Sequence, residues 1–252
     1  MSSAQIIVTA DDFGLDAVSN AAIIDVLTSG VVSHTSIIVN MTAFDQACDL
    51  ARSRGVVDRV GLHLNLTQGT PLTDAMRRSR TFCLDGEFAP PSRWKGLVPL
   101  TGSVRRVLAD EVRAQIAKAR SYGLPLTHLD SHNEIHIEPN VAATVAAIAA
   151  EAGITRLRPA RNCGERRGSL RLVLHRRYNA WLKRRGLMRV HYFGTIDDLL
   201  WLARRRQAAS IMSAEVMTHP SPGPQGIVGD GSSEPLAARV RQLRACFSPS
   251  PA

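Results

Sequence analysis

The chain begins with the stretch Ile6-Ile7-Val8-Thr9-Ala10-Asp11-Asp12-Phe13-Gly14, in which a short apolar run is followed by two adjacent carboxylates. The β-branched residues before Ala10 predict a strand that is covered on both faces, as in a parallel sheet. Asp11 and Asp12 then follow that strand directly. Adjacent carboxylates in this position suggest two separate roles, in which one binds a metal ion and the other transfers a proton. The structural alternative is a helix N-cap and a turn carboxylate, with Gly14 at the bend.

Alternating strand and helix patterns continue along the chain. Strands are predicted at 6–10, 35–39, 60–66, 126–129, 155–158, 189–193 and 213–217, and helices at 17–27, 43–52, 103–122, 139–152, 196–206 and 235–246, with a further basic helix within 161–189. This α/β alternation predicts parallel strands with helices outside them, in an open sheet or a barrel. Residues 67–100 break the rhythm, and a loop of that length inside a compact domain is typical of a substrate cleft.

Three histidines lie on or just after predicted strands. His63 stands within Gly61-Leu62-His63-Leu64-Asn65-Leu66, where strand alternation puts His63 and Asn65 on one face. His132 closes the segment Thr127-His128-Leu129-Asp130-Ser131-His132, and His219 precedes Pro220 at the end of the strand 213–217. Together with the two aspartates, these residues converge on the rim where α/β barrels carry their catalytic groups. For each histidine, a packed or strand-end residue is the alternative.

His132 and His136 are four residues apart, which superficially suggests a zinc-protease helix. The glutamate lies at the wrong spacing, however, and the segment follows a strand, so this interpretation is rejected. His128 lies within the strand and is expected to pack.

Length and composition set broad limits on the type of protein. The 252 residues, 44% of them hydrophobic, are predicted to form one domain over 1–247 and a disordered tail over 248–252. No stretch approaches the roughly 20 consecutive apolar residues of a membrane span, and the first residues lack the pattern of a signal peptide. The four cysteines are too scattered for a C-x-x-C zinc site or a disulfide framework. These features predict a cytoplasmic protein with reduced thiols.

Positive charge, +9 in net for the chain, is concentrated in residues 161–189, which contain ten Lys or Arg residues and a single acid, Glu165. Such a block suits an anionic membrane surface, nucleic acid or an acidic substrate, although a solvated basic helix is the simpler interpretation. Aromatic residues are few and no nucleic-acid motif is present, so nucleic acid is not expected as a partner. Peripheral membrane contact through this segment stays open, as does a homodimer.

Taken in order, these segments resemble the YdjC-like (ChbG/HpnK) family of carbohydrate deacetylases. The matching stretches are Ile7-Val8-Thr9-Ala10-Asp11-Asp12-Phe13-Gly14, Gly61-Leu62-His63-Leu64-Asn65-Leu66-Thr67, Thr127-His128-Leu129-Asp130-Ser131-His132, His191-Tyr192-Phe193-Gly194 and Glu215-Val216-Met217-Thr218-His219-Pro220. The resemblance implies a distorted (β/α) barrel, TIM-barrel-like and of the polysaccharide-deacetylase type. It also implies the removal of acetyl groups from N-acetylated sugars with a divalent metal, the substrate being an oligosaccharide or a glycolipid.

Carried over residue by residue, the resemblance implies that Asp12, His63 and His132 bind the metal, that Asp11 is the general base and that His219 is the general acid. Magnesium is the metal usually associated with the family. A set of two histidines and one carboxylate also suits zinc, manganese, cobalt or nickel.

The chain departs from the family in one segment. A histidine-rich run, D-S-H-H-H-x-H, is common there, whereas this chain has Asp130-Ser131-His132-Asn133-Glu134-Ile135-His136. Asn133 and Glu134 therefore put metal preference and substrate orientation in question. Two alternative functions stay open: a metal-dependent hydrolase of another bond on the same barrel, and a non-catalytic protein that binds an anionic ligand through 161–189.

Overall fold

The computed structural model describes residues 5–164, 170–205 and 213–247. The helices are α1 (Ala17–Thr28), α2 (Phe44–Ser53), α3 (Asp74–Arg77), α4 (Gly102–Ser121), α5 (Ala142–Glu151), α6 (Leu170–Arg184), α7 (Ile196–Arg205) and α8 (Leu236–Phe247). The strands are β1 (Gln5–Phe13), β2 (His34–Ile37), β3 (Val60–Leu64), β4 (Cys83–Leu84), β5 (Glu87–Phe88), β6 (Leu129–Ser131), β7 (Tyr192–Gly194), β8 (Ser213–Thr218), β9 (Ser221–Gly223) and β10 (Gly226–Val228). Short 3-10 helices cover Val57–Arg59, Pro91–Arg93 and His132–Ile137. The predicted tail, 248–252, and residues 165–169 of the basic segment lie outside the described residues.

Six strands form one sheet in the order β6-β3-β2-β1-β8-β7. Neighbouring strands are parallel throughout, as the alternation of strands and helices predicts. β3 is buried along its whole length, which is typical of a strand covered on both faces. The carboxyl ends of all six strands therefore lie at one end of the sheet, and this end carries the candidate site.

The sheet curls into a distorted (β/α) barrel because backbone hydrogen bonds continue beyond its two edge strands. The N–H of Leu129 in β6 donates to the carbonyl of Arg156 (2.9 Å), and the N–H of Asn162 donates to the carbonyl of Phe193 in β7 (3.1 Å). The intervening segment thus links the two edges. Only one of its residues, Leu157, pairs in the manner of a strand, so the strand predicted at 155–158 is an irregular closing segment.

Residues 67–100 are not a structureless loop. They contain α3, the small β4-β5 hairpin and a 3-10 turn. The rings of Phe82 and Trp94 lie 5.1 Å apart between centroids, and both are buried. The segment therefore has a small apolar core of its own, which the weak periodicity of its sequence did not indicate.

The four cysteines, all in the described part of the chain, form no disulfide. None of the helices in that part combines the length and the apolar character needed to cross a lipid bilayer.

Candidate functional site

Both aspartates of the opening stretch lie within β1, because the strand continues through a β-bulge instead of ending at Ala10. Three steps along β1, from Ala10 to Phe13, match two steps along β2. Asp12 lies at this bulge in the left-handed region, at φ 70°, a conformation that is uncommon for residues other than glycine. In a regular strand, neighbouring side chains point to opposite faces. The bulge instead brings the carboxylates of Asp11 and Asp12 into one polar cluster.

Gly14 makes the sharp exit from this bulge. It has a φ of 90°, and a Cβ at this position would lie 2.6 Å from the carbonyl oxygen of Ile38. Its N–H donates to the side-chain oxygen of Asn20 (2.7 Å). The N-cap of α1 is Asp16, which accepts a hydrogen bond from the N–H of Ser19 (2.7 Å). The two preceding aspartates are therefore not helix caps.

Asp12, His63 and His132 bring three potential metal-ligand atoms together, all within 4.8 Å of one another. The Oδ1 atom of Asp12 lies 2.8 Å from Nδ1 of His132 and 3.2 Å from Nε2 of His63. The side chains of Asp12 and His132 are 14% and 16% exposed, so this group can be reached from outside. Three protein ligands that are open on one side are typical of a catalytic metal site.

The ring of His63 is oriented by groups behind it. Its Nδ1 atom lies 2.7 Å from Oδ1 of Asp130 and 3.0 Å from Oγ of Ser36, which leaves Nε2 facing Asp12. A carboxylate behind a metal-binding histidine is a common arrangement in proteins. Burial lowers the pKa of His63, but the charge of Asp130 and the hydrogen bond with Asp12 raise it, to about 10. Surroundings that favour positive charge this strongly, together with the donor set, fit a divalent cation.

Arg158 lies at the centre of a buried cluster that the sequence analysis missed. Its Nη1 and Nη2 atoms donate to the two oxygens of Asp11 at 2.6 and 2.7 Å. Nη2 also lies 2.6 Å from Oδ2 of Asp130, and Nε donates to Glu215 at 2.9 Å. All four residues are at most 2% exposed. A second group of potential ligands, Asp11, His63 and Asp130, also exists, but Arg158 already pairs with both of its carboxylates.

The pKa of Asp11 is raised above its ordinary value. Burial is the main cause, the charge of Arg158 opposes it, and the nearby charge of Asp130 adds to it. Asp12 behaves in the opposite way. Burial would raise its pKa, but hydrogen bonds with His132 and His63 outweigh burial and hold the pKa well below the ordinary range. The pKa values of the two neighbouring carboxylates are thus shifted in opposite directions.

His219 approaches the same site from the end of β8. Its Nδ1 atom lies 2.7 Å from Oδ1 of Asp230, and its Nε2 atom lies 3.8 Å from Oδ2 of Asp12. Burial lowers the pKa of His219, but the hydrogen bond with Asp230 and the charges of Asp11 and Asp230 raise it, to about 9. Its side chain is 42% exposed, so a substrate can reach the ring. Asp230, which lies in the loop after β10, was not predicted from the sequence.

The turn after His132 is irregular. Asn133 and Glu134 both have left-handed backbone conformations, with φ of 58° and 53°. Neighbouring segments hold this turn: Lys95 donates to the Asn133 carbonyl (3.2 Å), and Arg171 pairs with the Glu134 carboxylate (3.2 Å). The two residues that depart from the family's histidine-rich run therefore lie at the mouth of the site in a strained backbone.

The other two histidines of this segment, His136 and His128, support the surrounding structure. Nδ1 of His136 lies 2.5 Å from Oγ of Ser131, and its Nε2 donates to the carbonyl oxygen of Arg158 at 3.0 Å. Since a carbonyl can only accept, Nε2 carries the proton. His136 thus supports the backbone of Arg158. His128 is buried against Gly61, as expected for a packing residue.

Asn65, which strand alternation places on the same face as His63, organises the loop after β3. Its side-chain oxygen accepts from the N–H groups of Thr67 and Gln68 (3.0 and 3.2 Å). The side chain of Gln115 accepts from the backbone N–H of Asn65 and donates to its carbonyl. Further along, the buried carboxylate of Glu111 accepts from the backbone of 72–73. Helix α4 therefore anchors the loop that forms one wall of the mouth.

Three similar proteins are named as deacetylases of carbohydrates or chitooligosaccharides. The chain is 37% identical over 149 residues to the chitooligosaccharide deacetylase of Escherichia fergusonii, an alignment that covers 59% of this chain and 57% of that protein. It is 37% identical over 143 residues to the carbohydrate deacetylase of Geobacillus stearothermophilus, covering 57% and 55% of the two chains. For the carbohydrate deacetylase of Brevibacillus brevis, the identity is 34% over 148 residues, covering 58% and 56%. The chain thus aligns with a little over half the length of each relative.

The fold is similar to a crystal structure from Enterococcus faecalis V583, that of a candidate cellobiose-phosphate cleavage protein. The TM-score is 0.70, with 98% of this chain and 92% of that chain covered at 20% sequence identity. At this identity the likeness shows the fold alone. The YdjC-like protein family matches residues 5–251, a range that includes every residue of the site described above. This chain therefore belongs to the YdjC-like protein family.

Proposed function

We propose that this protein is a metal-dependent hydrolase that removes the acetyl group from an N-acetylated sugar, an oligosaccharide or a glycolipid, and releases acetate. One observation carries the proposal: three potential cation ligands lie beside a buried carboxylate of raised pKa and an accessible histidine of raised pKa. The names of the aligned relatives, which are chitooligosaccharide and carbohydrate deacetylases, support the choice of substrate. We place the reaction in the cytoplasm and in a single domain over residues 1–247.

Asp12, His63 and His132 would hold the cation. When bound, a divalent cation polarises the acetamide carbonyl and lowers the pKa of water beside it. The family resemblance favours magnesium, and the two imidazoles also suit zinc or another transition metal. Asp130 and Ser36 contribute by fixing the ring of His63 so that Nε2 faces the ligand group.

Asp11 would accept the proton of the attacking water. Its raised pKa makes it a stronger base than an ordinary aspartate, since the proton affinity of the base must approach that demanded by the reaction. The two hydrogen bonds from Arg158 fix the plane of its carboxylate. Arg158 is thus a positioning residue that acts through Asp11.

His219 would donate a proton to the departing amine. Its Nδ1 atom is engaged by Asp230, so Nε2 is the atom that faces the reacting group. With its pKa raised to about 9, the ring carries the proton at neutral pH. The carbon–nitrogen bond of the amide breaks as this proton is transferred, which leaves acetate and a free amino sugar.

Hydrolysis of a glycosidic bond on the same barrel fits the site less well. It commonly requires two carboxyl groups on opposite sides of the bond, roughly 5–10 Å apart. Beyond the aspartate pair, Asp130 and Glu215 are buried and paired with Arg158. Asp230 is paired with His219, and Glu134 is paired with Arg171. Each of these carboxylates is thus already engaged by a basic side chain.

Acetate release from a panel of N-acetylated sugars and glycolipids tests the proposal. The protein is first stripped with a chelator and then supplied with each divalent metal in turn. Release that depends on the metal supports the deacetylase and identifies the sugar class. Binding of metal without release from any substrate would favour another hydrolase, and failure to bind metal would favour the non-catalytic alternative.

A further inference from the structure

Four of the large apolar side chains that the described residues expose flank the start of α5. Leu97 and Val98, in the loop before α4, are 62% and 79% exposed, and Leu170 and Val173, on α6, are 70% and 51% exposed. Single exposed apolar residues need no explanation, but a contiguous group commonly marks an interaction surface.

Two grooves beside α5 are lined by one residue from each pair, Leu97 from the first and Val173 from the second. One groove, of about 710 Å³, runs between α4 and α5 and is lined by Leu97, Pro139 and Ala143 among others. The other, of about 730 Å³, runs between α5 and α6 and is lined by Pro139, Ala143 and Val173 among others. Because the two grooves share Pro139 and Ala143, they form a continuous apolar surface, which we call the α5 face.

Arginine side chains border the α5 face on both sides. Arg105 and Arg106 line the first groove, where the carboxylate of Asp110 is paired with Arg113, and Arg177 and Arg184 line the second. Among the described residues, none of these four pairs with a carboxylate. An apolar surface with a cationic border complements an anionic partner that has an apolar interior.

The α5 face lies beside the mouth of the candidate site. The loop that bears Leu97 and Val98 reaches the turn after His132 through Lys95, whose Nζ donates to the Asn133 carbonyl (3.2 Å). The first turn of α6 reaches the same turn through Arg171, which pairs with Glu134 (3.2 Å). A surface bound to the α5 face would therefore lie next to the entrance of the site.

We infer that the α5 face docks the protein on an anionic lipid bilayer, with Leu97, Val98 and Val173 inserted at the headgroup level. A second copy of the chain is a poorer occupant, since a symmetric contact would bring the arginine borders of two copies together. Bilayer docking goes beyond the proposed hydrolysis and does not depend on it. If both hold, the site would open toward substrates carried on the membrane.

Sedimentation with phosphatidylcholine vesicles, with and without phosphatidylglycerol, tests this inference on the full chain. The wild-type protein should bind only the vesicles that contain phosphatidylglycerol and should be released by high salt. The double variant L97D/V98D should bind roughly tenfold more weakly or worse, because two inserted apolar side chains are lost. The variant R177Q/R184Q should bind about 25-fold more weakly, at about fivefold for each cation.

Val18→Asp is the matched control, because Val18 is 59% exposed on α1, away from the α5 face, and its substitution should leave binding unchanged. Absence of wild-type binding to the anionic vesicles would overturn the inference, as would undiminished binding by L97D/V98D. A wild-type dimer that L97D/V98D abolishes would assign the face to a second copy instead. Acetate release from a water-soluble sugar, measured on the same variant, should be unchanged, so failure of docking and failure of the proposed function are distinguishable.

Discussion

Replacing Asp230 with asparagine should move the alkaline limit of activity to lower pH. Asp230 lies 2.7 Å from Nδ1 of His219, and its hydrogen bond is the largest influence that raises the pKa of this ring, to about 9. Asparagine preserves the size of the side chain but removes its charge. The proposed proton donor is competent below its pKa and is lost as the pH rises through it, so a lower pKa narrows the active range from the alkaline side.

The size of the effect follows from the fraction of protonated His219. If the pKa fell from about 9 to the ordinary value of 6.5, the protonated fraction at about pH 8 would fall from about 0.9 to about 0.03, a loss of about 30-fold. At about pH 5.5 the loss would be only about 1.1-fold. The ring is 42% exposed and the charges of Asp11 and Asp12 remain, so 30-fold is an upper bound.

The assay is the pH profile of kcat/KM for acetate release, measured for the wild type and for D230N at saturating metal. A cation bound beside Asp12 would lower the pKa of His219 in both proteins, so the quantity to compare is the difference between their alkaline limbs. Asp49→Asn, at an exposed carboxylate on α2, is the matched control and should leave the profile unchanged. An alkaline limb that stays in place in D230N would refute the assignment of His219 as the acid held by Asp230.

Four further substitutions test the site and the bulge that carries it. His132→Ala should abolish both acetate release and cation binding, the latter measured by titration calorimetry. Asp11→Asn should bind the cation normally and lose only acetate release. Retained turnover in either variant would contradict the assigned roles. Arg158→Met leaves three buried carboxylates without their partner and should lower the free energy of unfolding in urea by about 3–5 kcal/mol, and a loss below about 1 kcal/mol would contradict the proposed pairing. Gly14→Ala, at a φ of 90°, should cost about 1–3 kcal/mol in the same assay, and an unchanged midpoint would show that the exit from the bulge is not strained.

Most of the fold could be predicted because its signals are local. Apolar runs of strand length alternate with helical periodicity, and the observed bounds differ from the predicted ones by a few residues, as for α4 at Gly102–Ser121. Two features of the fold could not be predicted from such local patterns. Residues 156–162 close the barrel through scattered backbone hydrogen bonds, which require little sequence periodicity. β1 runs on through Asp11 and Asp12, although carboxylates are depleted in strands, because a bulge and buried partners accommodate them.

The candidate site was predicted in part. Parallel strands end at one edge, so residues that follow different strands converge there, and the structure does bring Asp12, His63 and His132 together. Their roles stay predictions. Arg158 and Asp230 were missed because their partners are distant in sequence. A usable signal was present at Asp130 and Glu215, since a charged residue within a buried strand requires a partner of opposite charge.

The different environments of Asp11 and Asp12 give a physical reason for a division of roles that the family resemblance only asserts. Both carboxylates belong to one bulge, but Asp12 faces two imidazoles, whereas Asp11 faces Arg158 and the charge of Asp130. A cation ligand must stay ionised, and the lowered pKa of Asp12 fits this role. A general base must bind a proton during the reaction, and the raised pKa of Asp11 favours this. If the roles were exchanged, Asp12, whose pKa is lowered, would have to act as the base. Asp11, which is already paired with Arg158, would have to bind the cation. We therefore propose Asp12 as the ligand and Asp11 as the base.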